Sequence, residues 1–140
     1  MTVNNDNRIA PIPPDTGIIL VDHGSRMQAA NEMMCYVLQL FEKVTGATIV
    51  ETAHMELAEP TIAQAFDRCV ARGARRVVVH PYFLSPGRHS TTDIPNLAAE
   101  AAAAHPGIPY HVSGPLGLDE RLAQVIHQRV VEALEEHSMD

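Results

Sequence analysis

The run GIILVDHGSR, residues 17–26, changes character at its sixth position. Ile18 to Val21 are continuously apolar, and Asp22, His23, Gly24, Ser25 and Arg26 follow at once. A short unbroken apolar run marks a strand buried on both faces, the kind found in parallel sheets covered by helices. From Arg26 the period becomes helical. Met27, Ala30, Met34, Val37, Leu38 and Phe41 share one stripe, and Gly46 closes it.

The same alternation continues along the chain. Ala47–Ala53 is β-prone. EPTIAQAFDRCVARGA (59–74) reads as a helix, with Glu59 before it, Pro60 in its first turn, Gly73 at its end, and Ile62, Ala65, Phe66, Cys69 and Val70 on one stripe. RRVVVHPYFL (75–84) is a β-branched run that ends in a Pro-Gly loop. TTDIPNLAAEAAAAH (91–105) predicts a third helix with Thr92 or Asp93 as N-cap, and IPYHVSG (108–114) a fourth strand. From Asp119, Leu122, Val125, Ile126, Val130 and Leu134 predict a last amphipathic helix. Strands alternating with helices imply parallel pairing and right-handed crossovers. The expectation is one α/β domain, a three-layer sandwich on a four-stranded parallel sheet, over residues 17–137. A mobile polar arm (1–16) precedes it and a short tail (138–140) follows.

Composition narrows the function classes. The chain has 140 residues, 46% of them hydrophobic but only 4% aromatic, so its core must be aliphatic. The net charge of −7 argues against nucleic acid as a partner. Any anionic ligand must therefore meet local arginines. Cys35 and Cys69 fit no metal-knuckle spacing and read as reduced thiols. No apolar stretch approaches the ~20 residues of a membrane span, and the start has no signal-peptide pattern. The expected compartment is the cytoplasm, with no membrane partner.

In a parallel α/β sheet, ligands bind beyond the carboxyl ends of the strands. The reactive residues of this sequence crowd there. Asp22, His23, Ser25 and Arg26 follow the first strand; His54, Glu56 and Glu59 follow the second; His80, Tyr82, Arg88 and His89 follow the third; Ser113 follows the fourth. If strands one and three are neighbours, as in flavodoxin-like order, the loops carrying His23 and His89 face each other. Two imidazoles with a carboxylate suit Fe, Co, Ni, Cu or Zn, and a neutral imidazole also accepts protons. Ligands from separate loops suit a metal held briefly rather than a structural zinc. Glu56 is the expected site carboxylate. Glu59 reads first as a helix-start residue and His80 as a packed strand-end residue. Ser25 and Arg26 at a helix N-terminus, and Arg88, are candidate anion-binding groups. His105, His111, His127 and His137 read as ordinary surface or packing residues.

At these residues the sequence resembles a known family. VDHGSR, AHMELAEPTI, GARRVVVHPYFLSPGRHSTTDIP and GPLGL, in that order from about Gly17 to Leu118, look like the short-form sirohydrochlorin chelatases, the class II chelatases. The wording is closest to the sirohydrochlorin ferrochelatases. The resemblance implies a flavodoxin-like, class II chelatase fold and insertion of a divalent metal into a tetrapyrrole. Fe²⁺ is the first expectation, with Co²⁺ or Ni²⁺ as alternatives. The metal is a substrate, and no permanent cofactor is implied. The resemblance assigns metal handling and catalysis to His23 and His89, with Glu56 as acidic partner. Arg26, Ser25 and Arg88 would meet the substrate's carboxylates, and a homodimer is the expected assembly. Two other readings remain. A histidine phosphatase wants an arginine where Asp22 stands. A non-catalytic metal or tetrapyrrole carrier would use the same ligands without turnover.

Overall fold

The computed structural model describes residues 10–137; the first nine residues of the expected arm and the expected tail lie outside the described residues. The elements are β1 (Thr16–Asp22), α1 (Gln28–Thr45), β2 (Ile49–His54), α2 (Ile62–Ala71), β3 (Arg76–Pro81), α3 (Ile94–Ala102), β4 (Tyr110–Val112) and α4 (Glu120–Glu136). A π turn over His89–Asp93 leads into α3. The sheet order is β2-β1-β3-β4 and every pair is parallel, as expected.

β1 is central because almost every side chain in it is apolar and its faces are covered by helices. On one face Ile19 and Val21 join Ala53, Val77 and Val79 beneath α2 and α3, where Ile62, Phe66, Cys69, Ile94 and Ala98 close the core. On the other, Ile18, Leu20 and Val50 pack against Met34 of α1, with Val37, Leu38 and Phe41 at the margin. Each fully buried aliphatic side chain of this kind contributes about 1.5–3 kcal/mol. Gly17 lets α2 approach closely, since a Cβ there would come within 2.9 Å of Cys69 Cβ. Gly46 ends α1 in the left-handed conformation that its position in the sequence predicts.

Three expectations need correction. The α1 stripe begins at Met34, because the helix starts only at Gln28 and Met27 is 70% exposed. Pro60 is outside α2. Thr61 is the N-cap, in a capping box with Gln64, and Pro60 follows a cis peptide bond in the loop before it. The capping box satisfies the backbone N–H groups of Thr61 and Gln64 at the start of the helix. Neither Thr92 nor Asp93 caps α3 from outside, because both lie within the π turn. The last helix, α4, forms as expected with Asp119 as N-cap and its apolar stripe, although Val125, Ile126, Val130 and Leu134 stay exposed. Helical period gives the apolar side of a helix, not what covers it.

Burial pushes the Cys69 thiol up to about 12, with Glu51 adding to the effect and Arg72 opposing it. Cys35 is exposed. A thiol-alkylating reagent at about pH 8 should therefore modify the native protein once, at Cys35, and the denatured protein twice. Peptide mass spectrometry reads this directly, and a Cys69 adduct on the native protein would contradict the packing.

Candidate functional site

The β1–β2 ladder does not stop at its last register pair, Asp22 and His54. Met55 N–H donates to Asp22 O at 2.9 Å and Glu56 N–H to His23 O at 3.2 Å. The two loops therefore leave the sheet side by side. Gly24 is required here: its φ is +94°, and a Cβ would collide with the Glu56 carbonyl oxygen. On the other side of β1, Tyr82 N–H donates to Val21 O, which aligns the β3 loop with the β1 loop.

This framework brings His23 and His89 together, as their places after neighbouring strands imply. Their Nε2 atoms are 3.3 Å apart, with the rings nearly perpendicular at 83°. Behind each ring stands a carboxylate. Asp93 Oδ2 is 2.9 Å from His89 Nδ1, and Glu56 Oε1 is 3.7 Å from His23 Nδ1. Nδ1–H of His89 donating to Asp93 leaves its Nε2 lone pair pointing at His23. Two nitrogens 3.3 Å apart, each about 2.0–2.1 Å from one metal ion, subtend roughly 105–110° at it, a near-tetrahedral angle. No three His, Cys, Asp or Glu side chains among the described residues are arranged to hold a metal. The described residues thus offer two facing imidazole nitrogens here and no closed cluster of ligands. His23 and His89 are each nearly half exposed, at 46% and 47% of their side chains, so the Nε2 face is open.

The other predicted residues divide. Glu56 lies beside His23, but on the far side of the ring from the shared nitrogens. Ser25 is occupied locally: its Oγ accepts from Met27 N–H and its backbone is paired with Asn31. Arg26, with Ser25, lines a cavity of about 470 Å³ between α1 and the 57–60 loop, whose walls include His54 and Glu59 but not His23, His89 or Arg88. Arg88 precedes the π turn and is exposed beside His89. The structure therefore separates Arg26 from Arg88. His54 turns to Asp22 rather than sharing a side with Glu56. His80 is packed and hydrogen-bonded at the end of β3.

Two residues escaped the sequence reading. Asp93 is the nearer carboxylate of the pair, and the available signal was its four-residue spacing from His89. That spacing matters only if the helix begins a turn earlier, as the π turn makes it do. Phe83 lies with its ring centroid 6.4 Å from that of His23 and supplies an apolar wall.

Comparison with known proteins gives a consistent picture. A family model described as CbiX matches residues 17–133. A sirohydrochlorin ferrochelatase, chloroplastic, from Arabidopsis thaliana is 52% identical over 118 residues, covering 84% of this chain and 52% of that protein. The sirohydrochlorin chelatase SirB from Bacillus subtilis subspecies spizizenii, solved in complex with cobalt, superposes with a TM-score of 0.78 at 32% identity, covering 84% of this chain and 50% of that one. A CbiX protein from Marinobacter aquaeolei superposes at 0.73 and 31% identity, covering 86% of this chain and 98% of that one. The chain spans about half the length of the ferrochelatases it matches.

His80 offers a test of the strand-end packing. Its Nδ1 lies 2.9 Å from Ser113 Oγ, which donates to Gly114 O. Burial holds the imidazole below its ordinary value, and the Gly114 carbonyl opposes this. Because the folded value is the lower one, the unfolded chain takes the proton first as pH falls. The stabilisation is complete above the unfolded value of about 6.5 and declines below it. Denaturation midpoints should drop between about pH 7.5 and pH 5.5, and His80→Gln should shrink that drop. An unchanged pH slope in the variant would contradict the assignment.

Proposed function

This chain belongs to the CbiX family, and from that premise we propose that it is a sirohydrochlorin chelatase. It inserts a divalent metal ion into the tetrapyrrole, Fe²⁺ first, with Co²⁺ and Ni²⁺ as alternatives. The observation that carries the reading is the pair of facing Nε2 atoms on the open edge of the sheet. Metal insertion replaces two pyrrole N–H protons with one M²⁺. A catalyst must release a metal and accept protons at the same macrocycle face. Two neutral imidazoles do both: each Nε2 gives up the metal and then takes one proton. Asp93 and Glu56, facing the two Nδ1 atoms, stabilise the imidazolium charge that results. A two-ligand site releases metal more readily than a closed four-ligand one. The half-exposed pair, with Phe83 beside it, suits a flat macrocycle that approaches from solvent.

Arg88, beside His89, is the first candidate to meet a substrate carboxylate; Arg26 and Ser25 belong to the neighbouring cavity and would act there. Metal is substrate in this scheme, and no resident cofactor takes part. We also assign a homodimer. Exposed apolar rows on α1 (Met33, Tyr36, Leu40, Val44) and α4 (Val125, Ile126, Val130, Leu134) are the surface a second copy would bury. A reducing compartment, the cytoplasm, suits the exposed Cys35 thiol. No helix among the described residues is long and apolar enough to cross a membrane.

Anaerobic insertion of Fe²⁺, Co²⁺ and Ni²⁺ into sirohydrochlorin, followed by absorbance, tests the activity. Wild type should accelerate at least one insertion, and His23→Ala and His89→Ala should each lose about 100-fold or more. Asp93→Asn should lose about 10-fold or more. Stoichiometric binding with no acceleration would make the protein a carrier instead. For the assembly, light scattering should give twice the chain mass, and Val130→Asp with Leu134→Asp should halve it. A wild-type monomer at micromolar concentration would refute the dimer.

A further inference from the structure

His54 is buried and ionisable, and the proposed reaction does not use it. Only 4% of it is exposed. Its Nδ1 lies 2.5 Å from Asp22 Oδ1, a short hydrogen bond. The two residues are register partners at the carboxyl ends of β2 and β1. They close the paired part of the two strands with a side-chain hydrogen bond. One residue beyond Asp22 is His23, and two beyond His54 is Glu56. Past them the chain turns sharply, with φ of +94° at Gly24 and +70° at Leu57.

The strands do not need this link to associate. Six register pairs already join β1 to β2, and Ile18, Leu20 and Val50 are buried there. What the link adds lies beyond the last pair, where the loops are joined by two backbone hydrogen bonds, one of them 3.2 Å long, and by the 3.7 Å approach of Glu56 to His23. The His23 ring must be held from this side, because His89 reaches it from a different loop.

We propose that the Asp22–His54 pair is a positioning device for His23. It fixes how the β1 and β2 loops leave the sheet, so that Nε2 of His23 faces His89 while Nδ1 faces Glu56. Neither member touches metal or substrate. The requirement is a donor at the Nδ1 position of residue 54 and an acceptor at Asp22. This proposal rests on the reading of His23 and His89 as the metal-presenting pair.

Two variants test it. His54→Asn keeps an N–H near the Nδ1 position, and His54→Leu removes it. Co²⁺ is titrated into the full chain without tetrapyrrole and followed by visible absorption; insertion kinetics and Tm are measured alongside. His54→Leu should weaken Co²⁺ binding by about 10-fold or more. It should lower kcat while leaving KM for sirohydrochlorin unchanged, and His54→Asn should recover most of both losses. Wild-type Co²⁺ affinity in His54→Leu would overturn the proposal. So would losses that His54→Asn fails to rescue and that follow Tm alone. Failure of the chelatase reading is distinguishable, since it appears as wild type inserting no metal, whereas the Co²⁺ titration decides the positioning role by itself.

Discussion

β1 is hydrogen-bonded along both edges, to β2 and to β3, and all three strands run the same way. Parallel pairing sends their carboxyl ends to one edge of the sheet. The order β2-β1-β3 then places the β1 loop between the other two. His23 is within reach of Glu56 on one side and His89 on the other because of this pairing. A strand with unbroken apolar sequence can occupy that central position, since both its faces are covered. The run Ile18–Val21 therefore determines the site as well as the core.

The electrostatics of the pair follow from how each ring is oriented. An imidazole has two nitrogens on opposite sides, and a carboxylate behind one leaves the other free to bind. Here the carboxylates come from different devices. Asp93 is brought to His89 by a π turn within one segment. Glu56 is brought to His23 across a strand pair. The two halves of the site thus have separate supports, and a change in one loop need not disturb the other.

Much of this was legible in the sequence. Strand–helix alternation gave the parallel sheet, and chemistry crowded after strands gave the site edge. HGSR and GRH, on loops of neighbouring strands, gave the histidine pair. What escaped depends on contacts that local pattern does not encode. Asp93 looked like a helix cap because its sequence fits one, and only the early π turn makes it a partner of His89. His54 and Glu56 are two apart and would share a side on an extended chain, but the strand ends between them. Asp22, which directly precedes His23, holds the imidazole of His54 instead. The α4 stripe was visible, but what it meets depends on surfaces outside its own sequence.

On the proposed reading, His23 and His89 bind one metal ion through facing nitrogens. X-ray absorption on the Co²⁺-loaded protein reads that coordination. Two imidazole nitrogens are expected in the cobalt shell, with one lost in His23→Ala and one lost in His89→Ala. A shell without imidazole, or one that keeps both nitrogens after either substitution, would contradict it.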